Sequence, residues 1–175
     1  MRWMLLVSAL AAVVLTAAPA RGQTAEEANK ATYAAFMEAQ NARDYGRLDA
    51  LVAADMIRHS QATPGTETMT GIEAFKAFLE LTTTQFPDWR MECPMVVAEG
   101  DLLGAWCSFT GTQEGAMGPF PPTGKRMELD VAGIFRFEDG KIAEWWVTWD
   151  NLAGLTQVGL FPPAGTPVEP PEGRR

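Results

Sequence analysis

The chain has 175 residues, 47% of them hydrophobic and 21% charged, a composition that suits one globular domain with a sizeable core. Its formal net charge of -8 argues against nucleic acid or an anionic membrane surface as partner, because both require clustered Lys and Arg. A neutral or weakly polar small molecule fits this charge better.

The first 22 residues have the pattern of a cleavable signal peptide. Arg2 forms a short basic region, residues 4–15 form an apolar region, and the small residues near Ala20 and Gly22 suit a signal peptidase. The alternative, an uncleaved membrane anchor, usually needs a longer apolar run. We therefore expect an exported protein, periplasmic or secreted, that has no membrane partner after cleavage.

Helical patterns come first in the remaining chain. Apolar residues at helical spacing predict a helix over 25–43, and a second short helix is predicted over 48–54. A third helix is predicted over 72–85. Thr70 and Glu73 stand at the spacing of a capping box and are expected to open it.

Strand patterns follow the helices, with turn signals at Gly100–Asp101 and Asp139–Gly140. Helices followed by an antiparallel meander predict an α+β domain whose helices cover one side of the sheet. This single domain is expected over 23–161, and a Pro-rich acidic tail over 162–175 follows it. The strands are predicted over 89–98, 102–112, 126–138 and 141–150.

The two cysteines, Cys93 and Cys107, flank the first hairpin turn. A three-residue loop over 99–101 would place them directly opposite each other, close enough for a disulfide. A two-residue loop would point them to different faces, and Pro94 indicates a bulge. Export favours the disulfide. Two cysteines and one histidine are too few for a structural zinc site, so no metal is predicted.

Asp150 ends a strand rich in tryptophan and is the first functional candidate. A carboxylate beside aromatic rings is poorly solvated and holds a proton more readily, as a general acid or base requires. The alternative is structural. Asp is a favoured N-cap, and residues 151–157 suit a short helix whose backbone N–H groups the carboxylate would bind.

Five short motifs follow one another between residues 28 and 163. They are Phe86-Pro87-Asp88, Gly111-Thr112-Gln113-Glu114-Gly115, Pro121-Pro122-Thr123-Gly124-Lys125, Asp139-Gly140-Lys141-Ile142 with Glu144 and Trp146, and Asp150 with Gln157-Val158-Gly159. In this order they resemble the SnoaL-like polyketide cyclases, often called ester cyclases. The resemblance implies the nuclear transport factor 2-like fold, a cone formed by a strongly curved sheet and three helices around a deep apolar pocket.

The resemblance also implies a mechanism. In these cyclases an Asp at the end of the last strand removes a proton from a carbon activated by carbonyls, and the enolate closes a ring by aldol attack. Asp150 matches that position. No metal or organic cofactor is required, because the substrate's carbonyls delocalise the charge. The expected pocket residues are Trp146 and Thr148, which strand alternation places on the same face as Asp150, and Phe109.

Two further residues correspond to family positions. Gln113 stands where the cyclases commonly carry a His, and its amide is able to donate a hydrogen bond to an enolate. His59 matches the family's early His. The expected substrate is a small hydrophobic carbonyl compound, cyclised, isomerised or hydrolysed by Asp150 with help from Gln113 and His59. The alternative is a non-catalytic ligand-binding protein of the same fold. Exposed sheet in this fold implies a homodimer.

Overall fold

The structure, a computed structural model, describes residues 24–62, 65 and 67–161. The predicted signal peptide over 1–22 and the acidic tail over 162–175 lie outside these residues. The α-helices are α1 (Ala25–Ala42), α2 (Leu48–Leu51), α3 (Ile72–Gln85) and α4 (Asn151–Gln157). The strands are β1 (Val52–His59), β2 (Thr68–Thr70), β3 (Arg90–Glu99), β4 (Leu102–Thr112), β5 (Arg126–Glu138) and β6 (Lys141–Trp149).

The six strands form one sheet in the order β2-β1-β6-β5-β4-β3. Strands β3 to β6 are an antiparallel meander, as predicted, whereas β1 runs parallel to β6. Bulges interrupt the register of β1, β3 and β6 and increase the bend of the sheet. Helices α1 and α3 bury their apolar residues against the inner face of this curved sheet. The α+β prediction is confirmed.

Helix α1 begins at a capping box. The Thr24 hydroxyl accepts a hydrogen bond from the Glu27 backbone N–H, and the Glu27 carboxylate accepts one from the Thr24 backbone N–H, both at 3.2 Å. The helix ends where Arg43 takes a left-handed φ of 61°. Its inner face buries Tyr33 and Phe36. No helix in the described part of the chain has the length and apolar character needed to cross a membrane.

The helix predicted over 48–54 is shorter than expected. It ends at Leu51, and β1 begins at the next residue and continues to His59. The sequence pattern gave no sign of β1 because one of its inward positions holds Arg58 instead of an apolar residue. The sequence did not predict β2 either, because this strand has only three residues and is stabilised by its pairing with β1.

The predicted capping box of α3 does not form. Gly71 is the N-cap residue and makes no side-chain hydrogen bond there. Thr70 belongs to β2, and the Glu73 carboxylate accepts a hydrogen bond of 2.8 Å from the Lys76 ammonium instead. Strand pairing between β1 and β2 therefore removes Thr70 from the helix terminus.

A disulfide joins Cys93 to Cys107. The hairpin turn contains two residues, Gly100 and Asp101, not the three that would oppose the cysteines directly. The register then shifts by one residue at a bulge that contains Cys93 and Pro94. This shift brings the two cysteines opposite each other. The two-residue turn alone would move the cysteines out of register, and the bulge restores the register; the sequence indicated both features.

A bulge at Ala143 decides which residues of β6 face inward. Ala143 is an extra residue between the pairs that β6 forms with β5. Ile142 is fully buried before the bulge, and Trp145 is buried after it. Regular alternation would have turned Trp145 outward, because residues three apart on a strand point to opposite faces.

Candidate functional site

A cavity of about 1200 Å³ lies between α1, α3 and the inner face of the sheet. Part of its wall is an aromatic cluster whose contacting rings have centroids 5.0 to 6.2 Å apart. This volume and this lining suit a small hydrophobic molecule. The rings of the cluster belong to Phe36, Phe75, Phe135 and Trp145.

The predicted pocket residues divide between the two faces of the sheet. Phe109 lines the cavity, whereas Trp146 and Thr148 do not and project from the opposite face. The prediction took the face shared with Asp150 as the pocket face. The bulge at Ala143 precedes Trp146, Thr148 and Asp150, so it leaves their alternation intact and turns the residues between them toward the cavity. The residues of β6 that line the cavity are Trp145, Val147 and Trp149.

Asp150 follows β6 and caps α4. Its Oδ1 accepts a hydrogen bond of 2.9 Å from the backbone N–H of Ala153, and the residue is exposed. Its chain neighbours Trp149 and Asn151 both line the cavity, whereas Asp150 itself is not among the lining residues. Within the described residues Oδ2 makes no hydrogen bond. The capping arrangement is therefore present and engages one of the two carboxylate oxygens.

His59 lies on the other face of the sheet, away from the cavity. Its Nε2 is 2.8 Å from Oε1 of Glu144, and Arg136 donates a hydrogen bond of 2.6 Å to Oε2 of the same carboxylate. The imidazole stacks on Trp146 at a centroid distance of 5.3 Å. The parallel pairing of β1 with β6 places His59 beside Trp146. We call these four residues the outer cluster; it does not include Asp150.

Gln113 is fully buried and its side chain is occupied by the protein. Its amide Nε2 donates to the carbonyl oxygens of Gly115 and Pro121 at 2.7 and 3.3 Å. Its Oε1 accepts from the backbone N–H and the hydroxyl of Thr123 at 2.8 and 2.6 Å. The structure thus places Gln113 inside the loop between β4 and β5 and not on the cavity wall.

The same loop closes one side of the cavity with Met117 and Phe120. These two residues pair through backbone hydrogen bonds of 3.0 and 3.1 Å. The backbone N–H groups of Glu114 and Gly115 both donate to the carbonyl oxygen of Gln85 at 3.0 Å, which attaches the loop to the end of α3. Gln113 and this attachment together set the position of the apolar loop over the cavity.

Arg58 is a cavity residue that the sequence reasoning missed. It lies on β1 next to Trp145 of β6 and is 2% exposed. Its guanidinium carbon is 4.8 Å from the ring centroid of Phe78 and 5.9 Å from that of Trp149. Arg58 stands two positions after the buried Met56, so in a strand both side chains point to the same face. Recognition of this segment as a strand would therefore have predicted an inward-facing cation.

The electrostatic character of the cavity follows from these placements. Among the described residues that line it, none is Asp, Glu, Lys or His, and Arg58 is the one formal charge. Burial raises the pKa of the Tyr33 phenol, which stays neutral and lies 3.4 and 3.3 Å from the sulfur atoms of the disulfide. No three His, Cys, Asp or Glu side chains of the described residues gather as a metal site.

Comparison with known proteins places this architecture in a family. The model of the SnoaL-like polyketide cyclases matches residues 30–158. A search of curated proteins finds no match. Among solved structures, wild-type IdmH, a proposed polyketide cyclase from Streptomyces antibioticus, is 29% identical with a TM-score of 0.67, and the match covers 75% of this chain and 98% of that one.

Two other solved structures have similar folds. TsrD from Streptomyces laurentii is 26% identical with a TM-score of 0.68, covering 77% of this chain and 96% of that chain. A proposed SnoaL-like polyketide cyclase from Jannaschia sp. CCS1 is 22% identical with a TM-score of 0.71, covering 82% and 100%. The family model spans well over half of the sequence, and the chain belongs to the SnoaL-like polyketide cyclase family, with its nuclear transport factor 2-like fold.

Proposed function

We propose that this chain binds a small hydrophobic carbonyl compound in the cavity and that Asp150 performs cofactor-independent acid–base chemistry of the cyclase type on it. The observation that carries the proposal is the aromatic cavity of about 1200 Å³, lined by the two residues that precede and follow Asp150 in the chain, Trp149 and Asn151. Family membership supports the reaction class. Related isomerisation or hydrolysis would use the same base.

The chemistry needs little from the protein beyond a base and a shaped site. A carbon between carbonyls loses a proton to Asp150, and the substrate's own carbonyls delocalise the resulting charge. The walls of the cavity hold the chain of the substrate in a folded, reactive shape and exclude water. The Oδ2 oxygen of Asp150 is the atom we assign to proton removal, since Oδ1 is engaged with the Ala153 N–H.

A second function, ligand binding without turnover, is favoured by one specific observation. No carboxylate or imidazole occurs among the described residues of the cavity wall, and the predicted helpers His59 and Gln113 are engaged elsewhere. A cavity of this kind retains a ligand whether or not Asp150 reaches it.

Replacing Asp150 separates the two functions. Native mass spectrometry of the purified protein first identifies a copurified ligand, which then serves with its carbonyl precursors as the assay compound. Asp150→Asn retains an N-cap side chain and removes the base, so turnover should fall about 100-fold or more with ligand affinity and melting temperature preserved. Asp130→Asn, at an exposed residue of β5, is the matched control and should change neither. Equal affinity without turnover by either protein would establish the binding function instead.

We further propose export of the chain to the periplasm or the medium. The basic, apolar and small-residue regions of residues 1–22 support this, and an oxidising compartment would preserve the disulfide. The intact mass of protein recovered outside the cytoplasm should lack these residues. Full-length chain in the membrane fraction would refute cleavage.

We also propose a homodimer formed through the outer face of the sheet. Five large apolar side chains project from this face, each with 37 to 69% of its surface exposed. They are Met95, Val97, Trp106, Ile134 and Trp146. Several such side chains on one face form an apolar patch of the kind that marks an interaction site, unlike a single exposed apolar residue. Light scattering should give twice the monomer mass for the wild type and the monomer mass for Ile134→Lys. A monomeric wild type at micromolar concentration would contradict the dimer.

A further inference from the structure

The cavity wall contains a buried amide with an unused hydrogen-bond acceptor. Gln40 lies on the inner face of α1, lines the cavity and is 5% exposed. Its Nε2 donates to the carbonyl oxygen of Phe36 at 3.3 Å and to the sulfur of Met37 at 3.7 Å, both in the same helix. Among the described residues no N–H or O–H group donates to its Oε1. Because a carbonyl oxygen accepts only from the NH₂ end of the amide, Oε1 is the end left for a ligand.

This arrangement is unfavourable in the absence of a partner for Oε1. A buried acceptor that has left water without gaining a hydrogen bond costs free energy, whereas a leucine at the same inner position of α1 would carry no such cost. A ligand that donates a hydrogen bond to Oε1 removes this cost. Phe36, one of the aromatic cluster, precedes Gln40 by one helical turn, so the two residues share one face of α1 and contact the same ligand.

The other polar side chains of the wall that we compared with Gln40 are less suited to accept from a ligand. The Thr82 hydroxyl donates to a carbonyl oxygen of its own helix at 2.8 Å, and the Tyr33 hydroxyl lies 3.4 and 3.3 Å from the two sulfur atoms of the disulfide. Arg58 has donors only, and Gln85 is half-buried, within reach of water. Since no carboxylate or imidazole lines the cavity in the described part of the chain, Gln40 offers its best shielded acceptor.

We propose that Gln40 is a specificity-determining residue of the cavity and that its Oε1 accepts a hydrogen bond from a hydroxyl or amino group of the ligand. This inference rests on the proposed use of the cavity for ligand binding. It narrows the ligand class from hydrophobic carbonyl compounds in general to those that also carry a neutral hydrogen-bond donor. The apolar rings of such a ligand lie against the aromatic cluster, with the donor toward α1.

Two pairs of carbonyl probes with one ring system test this. One pair is 7-hydroxy-1-tetralone and 7-methoxy-1-tetralone; the other is 7-amino-1-tetralone and 7-dimethylamino-1-tetralone. All four are uncharged at neutral pH. Isothermal titration should show that the wild type binds the donor of at least one pair about 5- to 50-fold more tightly, because the methylated compound buries Oε1 without a partner. The pair that shows the preference identifies hydroxyl or amino as the recognised group.

Variants of Gln40 assign the preference to this residue. Gln40→Leu keeps a similar volume and removes the acceptor, so it should bind the two members of each pair within about 2-fold of each other. Gln85→Leu is the matched control, since it makes the same change at another lining residue, and it should keep the wild-type preference. Circular dichroism confirms folding. If Gln40→Leu does not fold, Gln40→Met, whose flexible side chain fits the same space, provides the same test.

The outcomes separate this inference from the proposed function. If the wild type binds both members of each pair alike, donor recognition by Gln40 is refuted and ligand binding in the cavity stands. If the preference persists without the Gln40 amide, or disappears in Gln85→Leu, another feature of the wall provides it and the inference is also refuted. If no probe binds, the proposed use of the cavity fails and the inference fails with it.

Discussion

Replacing Gln113 by Leu tests whether this residue holds the loop between β4 and β5 or acts on the ligand. The substitution keeps a similar volume and removes four hydrogen bonds, two donated by Nε2 and two accepted by Oε1. Each of these hydrogen bonds contributes about 0.5–1.5 kcal/mol, and water replaces part of the loss at Thr123. The free energy of unfolding should therefore fall by about 3 kcal/mol. A domain of this size should then melt about 6–12 °C lower.

Urea unfolding followed by tryptophan fluorescence, together with thermal melting, measures the change. The matched control is Gln157→Leu, because Gln157 also bonds a backbone N–H and a backbone carbonyl, both of Glu128, but is exposed. It should cost less than about 1 kcal/mol, since water replaces its partners. If Gln113→Leu keeps wild-type stability and loses turnover, the side chain acts on the substrate and our assignment to the loop is wrong.

Three further predictions concern stability. Reducing the disulfide, which spans a sequence separation of 14, should lower the unfolding free energy by about 3 kcal/mol in urea titrations, and a double Cys→Ala variant should not respond to reductant. Hydrogen bonds from the Thr112 backbone N–H and hydroxyl lower the pKa of Asp88, so the stability that this carboxylate contributes is present above about pH 4 and is lost as the pH falls further. Asp88→Asn should reduce the loss of unfolding free energy on the acid side. Identical profiles of unfolding free energy against pH for the two proteins would refute the linkage. Gly115→Ala would press a methyl group onto the Thr84 carbonyl oxygen, so it should cost about 1–3 kcal/mol and weaken ligand binding as the loop moves. Gly46→Ala is the control, since its methyl group would meet only an ordinary contact with Asp44, and it should leave the packing intact.

Local signals in the sequence were sufficient for much of the fold. The apolar spacing within 25–43 predicted α1, whose observed capping box is formed by the adjacent Thr24 and Glu27. The strand pattern over 126–138 predicted β5 with its observed bounds. Each of these signals operates between residues a few positions apart, so no knowledge of distant contacts was needed.

The candidate site was less accessible to the same reasoning. The sequence left two roles open for Asp150, acid–base catalysis and capping of a helix. The hydrogen bond that its carboxylate accepts from the Ala153 N–H shows that the capping role is present. His59 was matched to a family position, but only the parallel pairing of β1 with β6 brings it to Glu144 on the outer face. Gln113 was given a donor role because a sequence does not reveal which backbone carbonyls a buried amide will meet.

The sequence by itself determined the α+β class, the meander, the two hairpins and the residue at the end of the last strand, since all of these depend on local periodicity and turn chemistry. Tertiary structure alone decided which side of β6 faces the cavity and that a charged residue of β1 lies inside it. The physical reason is that one inserted residue, Ala143, reverses every side chain that follows it on the strand, and a bulge is visible only from its pairing partner. Arg58 became recognisable as a cavity residue once pairing with β2 and β6 had established its segment as a strand.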